Sequence, residues 1–116
     1  MSVPPTAGGD GANTVARIRI GADHPGFVGH FPGQPILPGV ALLAEVMEAA
    51  LVRPALHDAI GAEPRIGAVK FLAPVAPSTT LDIVFALDAT ALHWHVVDGA
   101  RRVASGDFSR AGSVAS

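Results

Sequence analysis

The chain has 116 residues, and 49% of them are hydrophobic, which is enough for one domain with a substantial core. Its 8 basic and 10 acidic side chains exclude the dense basic surface that nucleic acid binding requires. The absence of cysteine excludes disulfides, thiolate metal sites and a cysteine nucleophile. Because no apolar run reaches the roughly 20 residues of a membrane span, and the N-terminus lacks signal-peptide features, we expect a cytoplasmic protein without a membrane partner.

The first half of the chain predicts a tail, a strand, a loop and a helix. Residues 1–13 are rich in proline, glycine and small residues, which is typical of a flexible tail. Apolar and polar residues mostly alternate over residues 14–20, which predicts a half-buried strand. Residues 21–38 contain four prolines and four glycines and therefore predict a loop, whose apolar residues favour an ordered one. Residues 40–52 predict a helix that is apolar around most of its circumference and therefore buried.

The second half predicts a short helix and four strands. The helix covers residues 54–60, with a proline in its first turn and Gly61 at its end. Strands are predicted over residues 65–72, 81–87, 91–97 and 101–108, and Asp98-Gly99 predicts a hairpin between the last two. One strand, one buried helix and a strand meander indicate a single α+β domain over residues 14–110, followed by a short flexible tail at 111–116.

Two segments carry a family signature: FVGHFPGQPILPGVALLAEV at positions 27–46 and VKFLAPV at positions 69–75. They resemble the 3-hydroxyacyl-acyl-carrier-protein dehydratases, in which a Gly-His-Phe-Pro-Gly turn precedes a Pro-Gly-Val that opens a central helix. The short chain looks most like the compact dehydratases of aryl-polyene gene clusters. The resemblance implies a hot-dog fold, in which an antiparallel sheet wraps around one long central apolar helix, and a dimer.

The same resemblance implies a reaction and its partners. We expect dehydration of a (3R)-3-hydroxyacyl thioester to the trans-2-enoyl thioester, in fatty-acid or polyene-type biosynthesis. The substrate would arrive on an acyl carrier protein, and the chemistry would need no cofactor and no metal. A second hot-dog subunit, in a homodimer or a heterodimer, is the expected protein partner.

His30 and Gly39 are the main candidates for catalysis. A histidine in a Pro/Gly-rich loop is held by rigid backbone and titrates near neutral pH, so His30 can act as a general base, although a structural role is the alternative. Gly39 begins a helix whose first amides lack internal partners and can donate to an oxyanion, although it can equally be a plain helix start. In the resembled family the histidine removes the α-proton and the amide matching Gly39 polarises the thioester carbonyl. The residues expected to contact the substrate are Phe27, Phe31, Pro38 and Val40.

The general acid of the resembled family is missing from its usual place. That Glu or Asp lies fourteen residues after the histidine, where this chain has Ala44. Glu45 is the nearest replacement, about 100° around the helix, and we predict it ahead of Glu48, which lies on the face of Ala44 but about 6 Å further along the axis. Another subunit is a third source, and a solvated helix face is the alternative explanation of both glutamates.

The remaining ionisable residues receive no catalytic role from the sequence. Asp23 and His24 are a neighbouring pair that more often satisfies local backbone groups. His93 and His95 share one face of a strand, but no third metal ligand accompanies them, so we expect two exposed histidines. The scattered basic residues have the pattern of ordinary surface charge; these are Lys70, Arg101, Arg102 and Arg110.

Two other functions remain open. An acyl thioesterase would use a helix carboxylate, Glu45 or Glu48, to activate water without a histidine. A non-catalytic or half-site subunit of a heteromeric dehydratase is favoured by Ala44. The three functions differ in product, because hydrolysis frees a thiol, dehydration forms a conjugated enoyl thioester, and a half-site subunit does neither alone.

Overall fold

The structure, a computed structural model, describes residues 13–27 and 36–111. The strands in that part are β1 (Asn13–Ile20), β2 (Arg65–Ile66), β3 (Lys70–Phe71), β4 (Thr79–Leu87), β5 (Leu92–Asp98) and β6 (Arg101–Ser109). The helices are α1 (Gly39–Leu51) and α2 (Pro54–Ile60), and a 3₁₀ turn covers Pro25–Phe27. The predicted helices and strands are confirmed to within two residues, except that the strand predicted over residues 65–72 is divided into β2 and β3. The two predicted tails lie almost wholly outside the described residues.

All six strands belong to one antiparallel sheet with the order β1-β4-β5-β6-β2, in which β3 also pairs with β6. The predicted hairpin is confirmed, because Asp98 pairs with Arg101 and the loop between them has two residues. Gly99, at the first loop position, has a φ of 63°, as the first central residue of a type II′ turn requires. The α+β class is therefore confirmed.

The core lies between one face of this sheet and the two helices. Alternate residues of the central strands are buried, because successive side chains of a strand point to opposite faces. On α1, the buried residues Leu42, Val46, Ala49 and Ala50 form the side that packs on the core. The largest fully buried side chains are Phe85, Phe108, Ile20, Leu56, Ile60, Leu81, Ile83, Leu92, Val46, Val96 and Val103.

Helix α1 is buried on one side and exposed on the other, so the prediction of a buried helix is confirmed for one side only. Val40 is 74% exposed, Val52 after the last turn is 64% exposed, and Ala44 and Glu48 between them are exposed. These four residues are spaced four apart and form one line, which we call the α1 stripe. The physical reason is that the sheet covers the side that carries Leu42 and Val46 and leaves the opposite side open. Neither helix of the described part is long and apolar enough to cross a membrane.

Phe108 tests the packing of this core. It is fully buried on β6, with its ring 5.5 Å from that of Trp94. We expect Phe108→Ala to lower the free energy of unfolding by about 3–5 kcal/mol, because it removes buried apolar area and leaves a cavity. Val15→Ala is the control, since Val15 is 59% exposed and should change stability by less than about 0.5 kcal/mol. Urea unfolding followed by circular dichroism measures both, and similar losses for the two variants would contradict the packing described.

Candidate active site

An apolar pocket of about 550 Å³ opens at the N-terminus of α1, within the usual range for small-molecule sites. The start of α1 forms one wall and the segment after β3 forms the other. The lining residues are Ile36, Leu37, Pro38, Gly39, Leu42, Phe71, Leu72, Ala73, Pro74 and Val75. Since all of them are apolar, the described part of this pocket suits an acyl chain and supplies no titratable side chain.

Backbone hydrogen bonds hold the two walls in place. The Leu37 amide donates to the Val75 carbonyl at 2.8 Å, which ties the segment before α1 to the segment after β3. The Leu72 amide donates to the Val103 carbonyl at 2.7 Å, which joins the far wall to β6. These two hydrogen bonds therefore fix the described walls of the pocket relative to each other and to β6.

Gly39, the first residue of α1, lines this pocket, and its amide has no hydrogen-bond acceptor among the described residues. Pro38 is the N-cap residue, with extended backbone, and its side chain makes no capping hydrogen bond. The first amides of a helix have no partner within the helix, and its dipole favours negative charge there. These amides, those of Gly39 and Val40 first, can therefore stabilise a developing oxyanion.

Gly39 lies directly under the ring of Phe71. A Cβ atom added to Gly39 would be 2.8 Å from two carbons of that ring, so a side chain here would force the ring to move. The sequence predicted that glycine leaves room for a ligand. In this structure the half-exposed Phe71 ring takes that room, and a ligand that reaches the Gly39 backbone from this side has to displace it.

His24 and Glu45 form a hydrogen-bonded pair that the sequence did not predict. His24 Nε2 lies 2.7 Å from Glu45 Oε2, and the side chains are 15% and 30% exposed. The amide of Gly26 donates to His24 Nδ1 at 2.8 Å. Because Nδ1 accepts this bond, the ring proton is on Nε2, and the Glu45 carboxylate is the acceptor.

This pair joins the 3₁₀ turn at Pro25–Phe27 to the second turn of α1. The two residues are 21 positions apart, so no local pattern in the sequence links them. The only feature of the sequence that could have suggested this pair is a histidine in the loop followed by a glutamate on the next helix. Glu45, the acid favoured by sequence, therefore has a fixed partner, and its catalytic role stays a prediction.

The structure does not bring the other predicted site residues together in one place. His30 and Phe31 lie outside the described residues. Pro38 lines the apolar pocket, whereas Val40 is on the α1 stripe and does not line it. Phe27 packs against the core, with its ring edge-on to His24 at 6.2 Å.

The two histidines of β5 are on the sheet face opposite α1. His93 is exposed and lies 2.8 Å from Asp88, while His95 is partly buried, so the expectation of two exposed histidines is confirmed only for His93. Amides of Thr90 and Ala91, together with His93, hold the pKa of Asp88 far below its usual range. Within residues 13–27 and 36–111, no group of three or more potential ligands is arranged around a metal position.

Comparison with known proteins identifies the class and then the family. A structure described as the dehydratase heterocomplex ApeI:P from Xenorhabdus doucetiae is similar over 84% of this chain and 86% of that chain, with a TM-score of 0.68 and 26% identity. The fold is thus the hot-dog fold of the dehydratases. A family model described as ApeI-like, ApeI dehydratase, matches residues 7–107. The chain therefore belongs to the ApeI-like dehydratase family.

Two curated relatives are also dehydratases by name. The 3-hydroxyacyl-[acyl-carrier-protein] dehydratase FabZ of Herpetosiphon aurantiacus is 36% identical over 83 residues, which is 68% of this chain. FabZ of Thermomicrobium roseum is 39% identical over 75 residues, which is 61% of this chain. The matches span 59% and 50% of the lengths of these two relatives.

We predict that the His24–Glu45 pair stabilises the fold. We expect Glu45→Ala to lower the free energy of unfolding by about 1–3 kcal/mol, because a half-buried N–H donor loses its acceptor. Glu45→Gln keeps an acceptor oxygen and should lose less than half as much. Glu48→Ala is the matched control on the exposed side of the same helix, with an expected change under about 0.5 kcal/mol. Urea unfolding of the three variants tests this, and equal losses for Glu45→Ala and Glu48→Ala would refute the pair.

Proposed function

We propose that the protein dehydrates a (3R)-3-hydroxyacyl thioester, carried by an acyl carrier protein, to the trans-2-enoyl thioester. The observation that carries this proposal is the apolar pocket at the amide end of α1, in a chain that belongs to a dehydratase family. An acyl chain fits the apolar lining, and the thioester carbonyl is the group that the amides would polarise. The names of the curated relatives, which are 3-hydroxyacyl-acyl-carrier-protein dehydratases, support the same reaction.

In this proposal His30 is the general base and Gly39 supplies the amide donor. His30 removes the proton from the α-carbon, and the amide of Gly39 stabilises the negative charge that develops on the thioester oxygen. The bond between the β-carbon and its hydroxyl then breaks, and a general acid delivers the proton that turns the leaving group into water. Pro38 contributes to the acyl pocket, and we keep Phe27, Phe31 and Val40 as proposed substrate contacts.

The acid is better assigned to Glu48 than to Glu45. The carboxylate of Glu45 accepts a hydrogen bond from His24 Nε2 at 2.7 Å, so it already has a partner within its own chain. Glu48 lies on the α1 stripe with Ala44, and its carboxylate has no partner in the described part of the chain. Position 44 is where the resembled family has its acid, so the next residue along the same line is the closest carboxylate of matching orientation.

Neither glutamate lines the apolar pocket of its own chain, which supports a site completed by a second subunit. The α1 stripe is mostly apolar, which favours its burial against another hot-dog subunit. The ApeI:P structure is described as a heterocomplex, and this supports a partner of the same fold. In such an assembly, the stripe of one subunit would present its carboxylate to the pocket of the other.

The time course of enoyl thioester formation tests the proposal. A carrier-bound 3-hydroxyacyl thioester is incubated with wild type, His30→Ala, Glu48→Gln and Glu45→Gln, and the conjugated product is followed in the near ultraviolet. We expect losses of about 10²- to 10⁴-fold for His30→Ala and Glu48→Gln. Glu45→Gln should retain most of the activity, and Glu63→Gln, an exposed carboxylate beyond α2, should retain all of it.

Each alternative gives a different result in the same assay. Release of free thiol without enoyl product would replace dehydration by thioester hydrolysis. An inactive wild type that becomes active only with a second hot-dog subunit would make this chain a half-site subunit. Loss of activity in Glu45→Gln but not in Glu48→Gln would return the acid to Glu45.

A further inference from the structure

Phe71 is a large apolar side chain that the core does not use. It is one of the two residues of β3, and it is 51% exposed. In the described part of the chain, neither the buried core nor the partly buried side chains packed against it include Phe71. Its ring instead covers Gly39, and both residues line the apolar pocket. Core packing therefore does not account for an aromatic residue at this position.

The backbone that carries this ring is held by the sheet. Phe71 pairs with Ala104 of β6, and the amide of the next residue, Leu72, donates to the Val103 carbonyl at 2.7 Å. Movement of the ring is therefore limited mainly to rotation of the Phe71 side chain about its own bonds, which prefer a few staggered positions. The ring is thus a rigid part of the pocket wall in a defined place.

The ring lies close to the amide that would polarise the thioester. A Cβ atom added to Gly39 would be 2.8 Å from Cε2, 2.8 Å from Cζ and 3.0 Å from Cδ2 of Phe71. The amide nitrogen of Gly39 is bonded to the Cα atom that would carry this Cβ. A thioester oxygen that accepts a hydrogen bond from this amide therefore lies near the ring. The α-carbon of the acyl group lies near it as well, because it is bonded to the same carbonyl carbon.

The space beside the ring is too small for an additional carbon atom. Non-bonded carbon atoms pack best at about 3.5–4.0 Å, and a carbon placed on Gly39 would be well inside that distance from the Phe71 ring. A hydrogen on the α-carbon of the substrate needs little room, whereas a methyl group there adds a carbon that competes with the ring. Because overpacking of this kind is costly, the ring favours acyl groups without an α-substituent.

We propose that Phe71 selects 3-hydroxyacyl thioesters that are unbranched at the α-carbon and excludes those that carry an α-methyl group. This specificity rests on the proposed function, because it requires the thioester oxygen to accept a hydrogen bond from the Gly39 amide. Both kinds of substrate have an α-proton for the base to remove, so the selection is made by shape and not by chemistry. Phe71 is therefore a substrate contact that determines specificity.

The affinities of two stable product analogues test this proposal without turnover. Calorimetry measures the binding of trans-2-butenoyl pantetheine amide and of its 2-methyl derivative to wild type, Phe71→Leu, Phe71→Ala and Ile66→Ala. We expect the wild type to bind the unbranched analogue about tenfold more tightly or better, and Phe71→Ala to bring the ratio of the two affinities to about one. Phe71→Leu should give an intermediate ratio. Ile66→Ala is the matched control, because Ile66 is 46% exposed on β2 and does not line the pocket, so its ratio should equal that of the wild type.

The outcomes separate this specificity from the proposed function. A wild type that binds both analogues equally, or an affinity ratio that is the same in wild type and Phe71→Ala, would overturn the role of Phe71 and leave the dehydration intact. A wild type that binds neither analogue would overturn both together. Thermal unfolding of each variant confirms that the fold is retained.

Discussion

The packing of one side of α1 on the inner face of the sheet is the constraint on which the rest of the structure depends. Leu42, Val46 and Ala50, each four residues from the next, are buried there and fix the rotation of the helix about its axis. Because the rotation is fixed, Gly39 in the first turn of α1 lies beside Phe71 and the segment that follows Phe71. The same rotation turns Glu45 toward His24 and Glu48 toward the exposed stripe. The packing of α1 on the sheet therefore determines the positions of the amide donors of its first turn and of both glutamate carboxylates.

The periodicity of apolar residues in the sequence was sufficient to predict most of the helices and strands, because elements of this size follow local patterns. It also located the amide end of α1 as a candidate site. Three features were beyond its reach, since each depends on a tertiary contact. The His24–Glu45 pair joins residues 21 positions apart. The division between β2 and β3 arises where the three residues 67–69 lie opposite only two residues of β6. The exposed α1 stripe reflects a sheet that covers only one side of the helix.

The candidate active site combines an apolar pocket with amide donors and, in the described residues, has no charged side chain. Amide donors beside an apolar lining are the kind of group that can stabilise an oxyanion in the proposed reaction. In the proposed reaction, proton transfer would therefore need side chains from outside this described lining. His30, the proposed base, follows the 3₁₀ turn by three residues in the sequence, and the His24–Glu45 pair links that turn to α1.

The central claim is that the amide end of α1 binds the acyl thioester, and backbone NMR tests it most directly. The protein, labelled with ¹⁵N, is titrated with an enoyl pantetheine amide, a stable analogue of the product. The account predicts that the amide signals of Gly39 and Val40 shift downfield, as expected when they donate to the carbonyl, and that those of Leu72 and Val75 shift with them. Unchanged signals at α1, with shifts confined to another surface, would contradict it.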